Sequence, residues 1–224
     1  MNIKQLTTNK TKLNTTLLII FYGVGLLGMV FEPKLFAKLT PFNLILSVFS
    51  MLYGHALVNR YFIINMIFIW VSAWVLEMAG TTTGRIFGFY TYGEALGVKI
   101  MQTPIIIGLN WILVCYASIQ MAHFVLKKYP LQNIQAAQIA LALFAGLFMV
   151  ILDVFIEPVA PKLDFWYWQD NKIPLQNFTA WFCFGTAFCF WMIKSGIMQN
   201  NIMGLRLYII QLMFFAAINL SQLV

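Results

Sequence analysis

The sequence predicts an all-α fold, a polytopic membrane helix bundle of about seven transmembrane helices with two long, repeat-like loops on one face. Three observations predict it. Of 224 residues, 61% are hydrophobic and only 9% charged, whereas a soluble domain carries about a quarter charged residues to cover its surface. The apolar residues gather in runs close to the roughly 20 residues that span a bilayer as a helix. The acids, finally, fall on one side of those runs. The net charge of +7 would suggest nucleic acid in a soluble protein, but here the cations sit between apolar runs. Anionic lipid and topology account for them better, so no nucleic-acid partner is expected.

Taken in order, the runs are Thr15–Phe31, Phe42–Val58, Tyr61–Ala79, Pro104–Leu126, Gln135–Ile156, Gln176–Lys194 and Leu205–Leu223. The polar start, Met1–Asn14 with Lys4, Lys10 and Lys12, resembles the front of a signal peptide, but no small-residue cleavage site follows. It reads as the lead into a retained first span. Only Asn59 and Arg60 divide the second and third runs, which predicts a tight turn. Pro104 opens the fourth, Pro158 stops the fifth and Pro174 precedes the sixth. No linker or low-complexity segment interrupts residues 1–224, so one membrane-embedded domain is expected.

Eight cations (Lys4, Lys10, Lys12, Arg60, Lys127, Lys128, Lys194, Arg206) lie on the amino-terminal side and six (Lys34, Lys38, Arg85, Lys99, Lys162, Lys172) opposite. That bias favours a cytoplasmic amino terminus, and a bacterial inner membrane is the expected location. The acids are more polarised: Glu32, Glu77, Glu94, Asp153, Glu157, Asp164 and Asp170 all fall at or near the opposite face. Cys115, Cys183 and Cys189 lie inside apolar runs without metal or disulfide spacing and read as free thiols. His55 and His123 lack ligand partners and read as structural.

Two connections on the acidic face share a design. Each follows an acid at the end of a span, Glu77 in one and Asp153 with Glu157 in the other. Each holds an aromatic cluster, 87–92 and 165–168, and closes on a proline with tryptophan seven residues on: Pro104/Trp111 and Pro174/Trp181, with Asn110 and Asn177 beside them. The pattern reads as a degenerate repeat of two parallel hairpins, an arrangement that builds a site between its halves.

Asp153 and Glu157 are one helical turn apart and share a face. Two carboxylates so close in a low-dielectric setting do not both ionise easily, so one should hold a proton near neutral pH. Such an acid can protonate a carbon–carbon double bond. Glu77 is either an interfacial acid beside the packing seam of Gly80, Gly84 and Gly88 or a second polar group facing the same cavity. Arg85 is placed to pair with an acid of the other hairpin. Trp70, Trp74, Tyr90, Tyr92, Trp111, Trp166, Trp168 and Trp181 supply an interfacial belt, ring faces that steady a cation, or both. No P-loop, dinucleotide fingerprint, nucleophile elbow or zinc signature is present, so no cofactor or metal is expected.

The stretches EMAGTTTGRIFGFYTYGEALGVKIMQTPIIIGLNW (77–111) and DVFIEPVAPKLDFWYWQDNKIPLQNFTAWF (153–182) resemble the carotenoid biosynthesis protein family, whose characterised members are carotenoid 1,2-hydratases. The resemblance covers about 77–181; the other spans are alike only in being apolar. It implies cofactor-independent addition of water across the terminal C1=C2 bond of an acyclic carotenoid end, in a γ-carotene-like or lycopene-like substrate. Asp153, Glu77 and Glu157 would be catalytic, their acid and base roles exchangeable. Tyr90, Tyr92, Trp111, Trp166, Trp168, Asn177, Trp181 and Arg85 would meet the substrate. Asn171-Lys172-Ile173, Gln176 and Thr179-Ala180 depart from the family pattern and leave the substrate open. Besides lipid, other carotenoid-pathway enzymes are the expected partners. The competing readings are a lycopene-cyclase-like enzyme using the same acid chemistry, a transporter with an acid relay, and a scaffold.

Overall fold

The computed structural model describes residues 3–55, 57–129 and 132–221, with side chains described from Thr11 onward. The Lys4 and Lys10 side chains and the Leu223 limit of the last run lie outside the described residues. Among the described residues eight α-helices form the bundle: α1 (Ile3–Phe31), α2 (Pro33–Ala37), α3 (Thr40–Tyr53), α4 (Arg60–Thr83), α5 (Ile106–Leu126), α6 (Ile134–Ile156), α7 (Leu175–Lys194) and α8 (Ile202–Ser221). Each of the seven apolar runs holds one long helix. Five are long and apolar enough to cross a membrane: α1 from Thr11, then α4, α5, α6 and α8.

The other two fall short for different reasons. α3 has 14 residues, because the chain turns inward at Gly54 instead of continuing to Val58. His55 is buried there, its Nδ1 2.8 Å from the Tyr116 hydroxyl. Asn201 Nδ2 donates to that hydroxyl (3.0 Å) and to the Met51 carbonyl (2.9 Å). The turn expected at Asn59 and Arg60 is therefore a six-residue connection, 54–59, ended by Asn59, whose side chain caps α4 by accepting from the Phe62 N–H at 2.9 Å. α7 carries Gln176, Asn177, Thr179 and Thr186; Asn177 and Thr186 meet α6, its most extensive neighbour, while Gln176 and Thr179 are exposed.

α5 is the central helix and packs on α3, α4, α6, α7 and α8. Its closest approach is at Gly108, where a Cβ would run into the Trp70 ring and carbonyl oxygen; Trp70 Nε1 donates 3.1 Å away to the Ile105 carbonyl. Gly108→Ala should therefore push α4 off α5 at a cost of about 1–3 kcal/mol, the usual penalty for overpacking. Gly23→Ala, with nothing within 4 Å of its Cβ, should be close to neutral. Thermal unfolding of both variants in detergent micelles checks the contrast.

α4 and α6 end at the same face, and the two loops that follow them pair with each other. β1 (Tyr90–Tyr92) and β4 (Trp166–Trp168) form an antiparallel ladder with Tyr90 opposite Trp168 and Tyr92 opposite Trp166. The Gly93 N–H extends it by donating to the Phe165 carbonyl at 2.9 Å. A second small hairpin, β2 (Lys99–Ile100) with β3 (Thr103–Pro104), leads into α5. The glycines after Glu77 serve this folding back rather than a helix–helix seam. Gly84 ends α4 at φ 64°, a conformation costly for any residue with a Cβ, and Gly80 lets the Phe87 ring lie on the helix.

Candidate active site

In an antiparallel ladder, residues two apart point to the same face. Tyr90 and Tyr92 from β1, with Trp166 and Trp168 from β4, accordingly turn one set of polar edges toward the helix ends, while Thr91 and Tyr167 face outward and are exposed. The ring centroids interleave, Tyr90 with Trp168 at 5.1 Å and Tyr92 with Trp166 at 6.3 Å. This layer lies over three carboxylates and covers them.

Glu77, on α4, is buried and takes three donors. Tyr92 donates its hydroxyl at 2.8 Å, Trp111 its indole N–H at 2.8 Å, and the Tyr90 hydroxyl completes the set. Burial, reinforced by the Glu77 charge, pushes both phenols well above their ordinary pKa, so each stays an O–H donor. Glu157, the residue after α6, also takes three: Trp168 Nε1 at 2.6 Å, Trp166 Nε1 at 3.1 Å and Asn177 Nδ2 at 2.9 Å. The two halves thus repeat one plan, in which an acid at a helix end accepts from an i, i+2 aromatic pair of its own loop and from the return helix. Trp111 and Trp181, equivalent in the two hairpins, stack at 4.3 Å and 11°.

Asp153 stands one turn deeper on α6 and is 1% exposed. Its Oδ2 accepts from Asn177 Nδ2 at 2.8 Å, so one amide group bridges Asp153 and Glu157. Its Oδ1 is buried and takes no hydrogen bond among the described residues. Of the three carboxylates, Asp153 alone keeps an oxygen that no donor has claimed. A small cavity of about 20 Å³ joins Glu77, Asp153 and Glu157 with Tyr90, Trp168 and Trp181. No group of three His, Cys, Asp or Glu side chains among the described residues is arranged to hold a metal ion.

Of the site residues expected from sequence, the structure gathers Glu77, Asp153, Glu157, Tyr90, Tyr92, Trp166, Trp168, Asn177 and Trp181 around this pocket, with Trp111 behind Glu77. Arg85 stands apart. Its side chain is exposed, and its backbone carbonyl, not its guanidinium, holds the other hairpin by accepting from Gln176. The ion pair formed among the described residues is Lys99 with Glu94, at 2.8 Å.

A larger pocket of about 270 Å³ adjoins the first. The two share Ile107, Asn110, Ile156 and Trp166. Its walls come from α1, α2, α3, α5, α6 and α8 and are apolar apart from Tyr22, Thr40, Asn43, Asn110 and Gln211. Neither this pocket nor Asn110 as its junction was expected from sequence. The available signal was polar side chains inside apolar runs, Asn43 and Gln211, which are costly in a membrane unless they face an interior.

The sequence model of carotenoid biosynthesis proteins matches residues 39–223, which extends the likeness beyond 77–181 on both sides. No curated protein and no solved structure matches the chain. A match over most of the length, on a membrane helix bundle, assigns it: the chain belongs to the carotenoid biosynthesis protein family and is an integral membrane protein of carotenoid biosynthesis.

Proposed function

We propose that the protein is a carotenoid hydratase, adding water across the terminal C1=C2 double bond of an acyclic carotenoid end. The observation that carries this reading is the unclaimed Oδ1 of Asp153 in the wall of a cavity whose other two acids accept hydrogen bonds on both oxygens. An oxygen free of protein donors is where a carboxylic acid keeps a proton it can give away.

In this mechanism the π electrons of C1=C2 form a new C2–H bond with the proton on Asp153, leaving a tertiary cation at C1 and a carboxylate on Asp153. The faces of Tyr90, Trp168 and Trp181 around the pocket steady that cation. A water oxygen adds to C1 and loses a proton to Glu157 or Glu77. Returning that proton to Asp153 closes the cycle, and Asn177, which holds Asp153 beside Glu157, keeps the two within reach. The net change is one water added, so no oxidant or reductant is consumed. The cation bias between the two sides, eight against six, supports a cytoplasmic amino terminus, which would set this pocket toward the far leaflet.

Expression in bacteria that accumulate lycopene or γ-carotene, followed by mass analysis of the pigments, tests the reading. The expected product is heavier by one water. A product of unchanged mass with a ring at its end would replace hydration by cyclisation, and unaltered pigments from every acyclic-ended carotenoid would refute both.

A further inference from the structure

We propose that the large apolar pocket between α1, α3 and α8 holds the hydrocarbon body of the substrate, and that its mouth between α1 and α3 opens sideways to the bilayer. The inference rests on the hydratase reading for its ligand, a long acyclic carotenoid, but on separate geometry. The pocket abuts the carboxylate cavity, and Ile107, Asn110, Ile156 and Trp166 line both. A blunt end passed between these side chains would meet Asp153 while the chain behind it stays among apolar side chains. Burying a long chain there is favourable in proportion to the apolar area removed from water.

The mouth follows from how the helices are held. α1 packs chiefly on α8 and α3 chiefly on α5, so α1 and α3 touch each other sparsely. They are tied at one end by Asn14 with Ser50 and further along by the Tyr22 and Ser47 hydroxyls at 3.0 Å. Beyond that tie toward the acidic face, Val24 and Phe42 both line the pocket and are 53% and 59% exposed. In a membrane helix, side chains exposed in this way face lipid. The occupant reaches the site without crossing water.

Gly25 gives the test a handle. It lines the pocket, and a Cβ there would meet only the Phe214 ring, at 3.7 Å. There is room to begin a side chain, and a large one fills the channel. The Asp153→Asn protein, purified from a lycopene-accumulating host, should carry lycopene measurable by its visible absorption per protein. Adding Gly25→Trp should lower that by roughly tenfold, with Gly25→Leu intermediate. Val71→Trp, on the exposed face of α4 outside the pocket, should leave it unchanged. If Gly25→Trp fails to elute and unfold like its parent, Gly25→Leu and Val24→Trp decide, each expected to fall below Val71→Trp.

Lycopene retained equally by all variants would overturn the proposal, as would its absence from the parent. The hydratase reading fails separately, when the wild-type chain forms no hydroxylated pigment whether or not lycopene stays bound.

Discussion

Asp153→Asn is expected to abolish hydration and leave the protein folded. The substituted amide keeps an oxygen for Asn177 Nδ2, whose 2.8 Å bond to Asp153 and 2.9 Å bond to Glu157 join α7 to α6. It has no proton to give to an alkene. General acids contribute about 10²–10⁴-fold to a rate, and an isolated alkene is a weak enough base for the effect to fall in that range or above it. Pigments from a lycopene host should therefore stay unhydrated, while the purified variant unfolds at the wild-type temperature. Asp153→Glu keeps the acid but lengthens its reach, and should recover part of the activity. With the wild-type enzyme in deuterium oxide, the product should carry one non-exchangeable deuterium at C2. Full turnover by Asp153→Asn would remove the acid from this residue, and an unlabelled C2 would remove protonation from the mechanism.

What made the site legible in sequence was local. Asp153 and Glu157 lie one turn apart, Pro158 ends their helix, and each loop carries an aromatic cluster, 87–92 and 165–168. Each is a signal from a few neighbouring residues; the strands that the two clusters form were not expected. What the sequence did not disclose was long-range. The β1–β4 ladder brings together residues 78 positions apart, such as Tyr90 and Trp168, and no local pattern names a strand's partner. Arg85 shows the same limit: its charge invited a salt bridge, but the Gly84 turn leaves the side chain outward and gives only its carbonyl to Gln176. The apolar pocket was hidden for another reason. Lipid-facing and pocket-facing apolar residues look alike in composition, so the walls from α1 and α8 carried no motif, and only Asn43 and Gln211 marked the inner side. α3 is shorter than its apolar run, which continues through Val58, because the buried His55–Tyr116–Asn201 contacts that end it depend on residues 61 or more positions away.

Glu77→Leu is expected to be the most damaging single change in the loop layer, and chiefly to stability. The carboxylate accepts from Tyr90, Tyr92 and Trp111, three donors on two different elements, all buried. A leucine of similar size fills the space and satisfies none of them. Leaving a buried donor unpaired costs about 1–3 kcal/mol, so three of them should cost about 3 kcal/mol or more even if one tyrosine rotates away. The loss should spread, because Tyr90 and Tyr92 pair with Trp168 and Trp166 and those indoles are the donors to Glu157. Tyr92→Phe removes one donor and leaves Glu77 two, and should cost about 1.5–3 kcal/mol, the usual worth of a hydrogen bond to a charged group. In the pair Glu77→Leu with Tyr92→Phe the second change should then regain part of the loss, since it removes a donor that the first left unpaired. Unfolding in detergent micelles measures all three. If the two losses simply add, Glu77 is not the acceptor that holds β1 on α4. If Glu77→Leu is as stable as the wild type yet inactive, the residue serves the reaction and not the assembly of the layer above it.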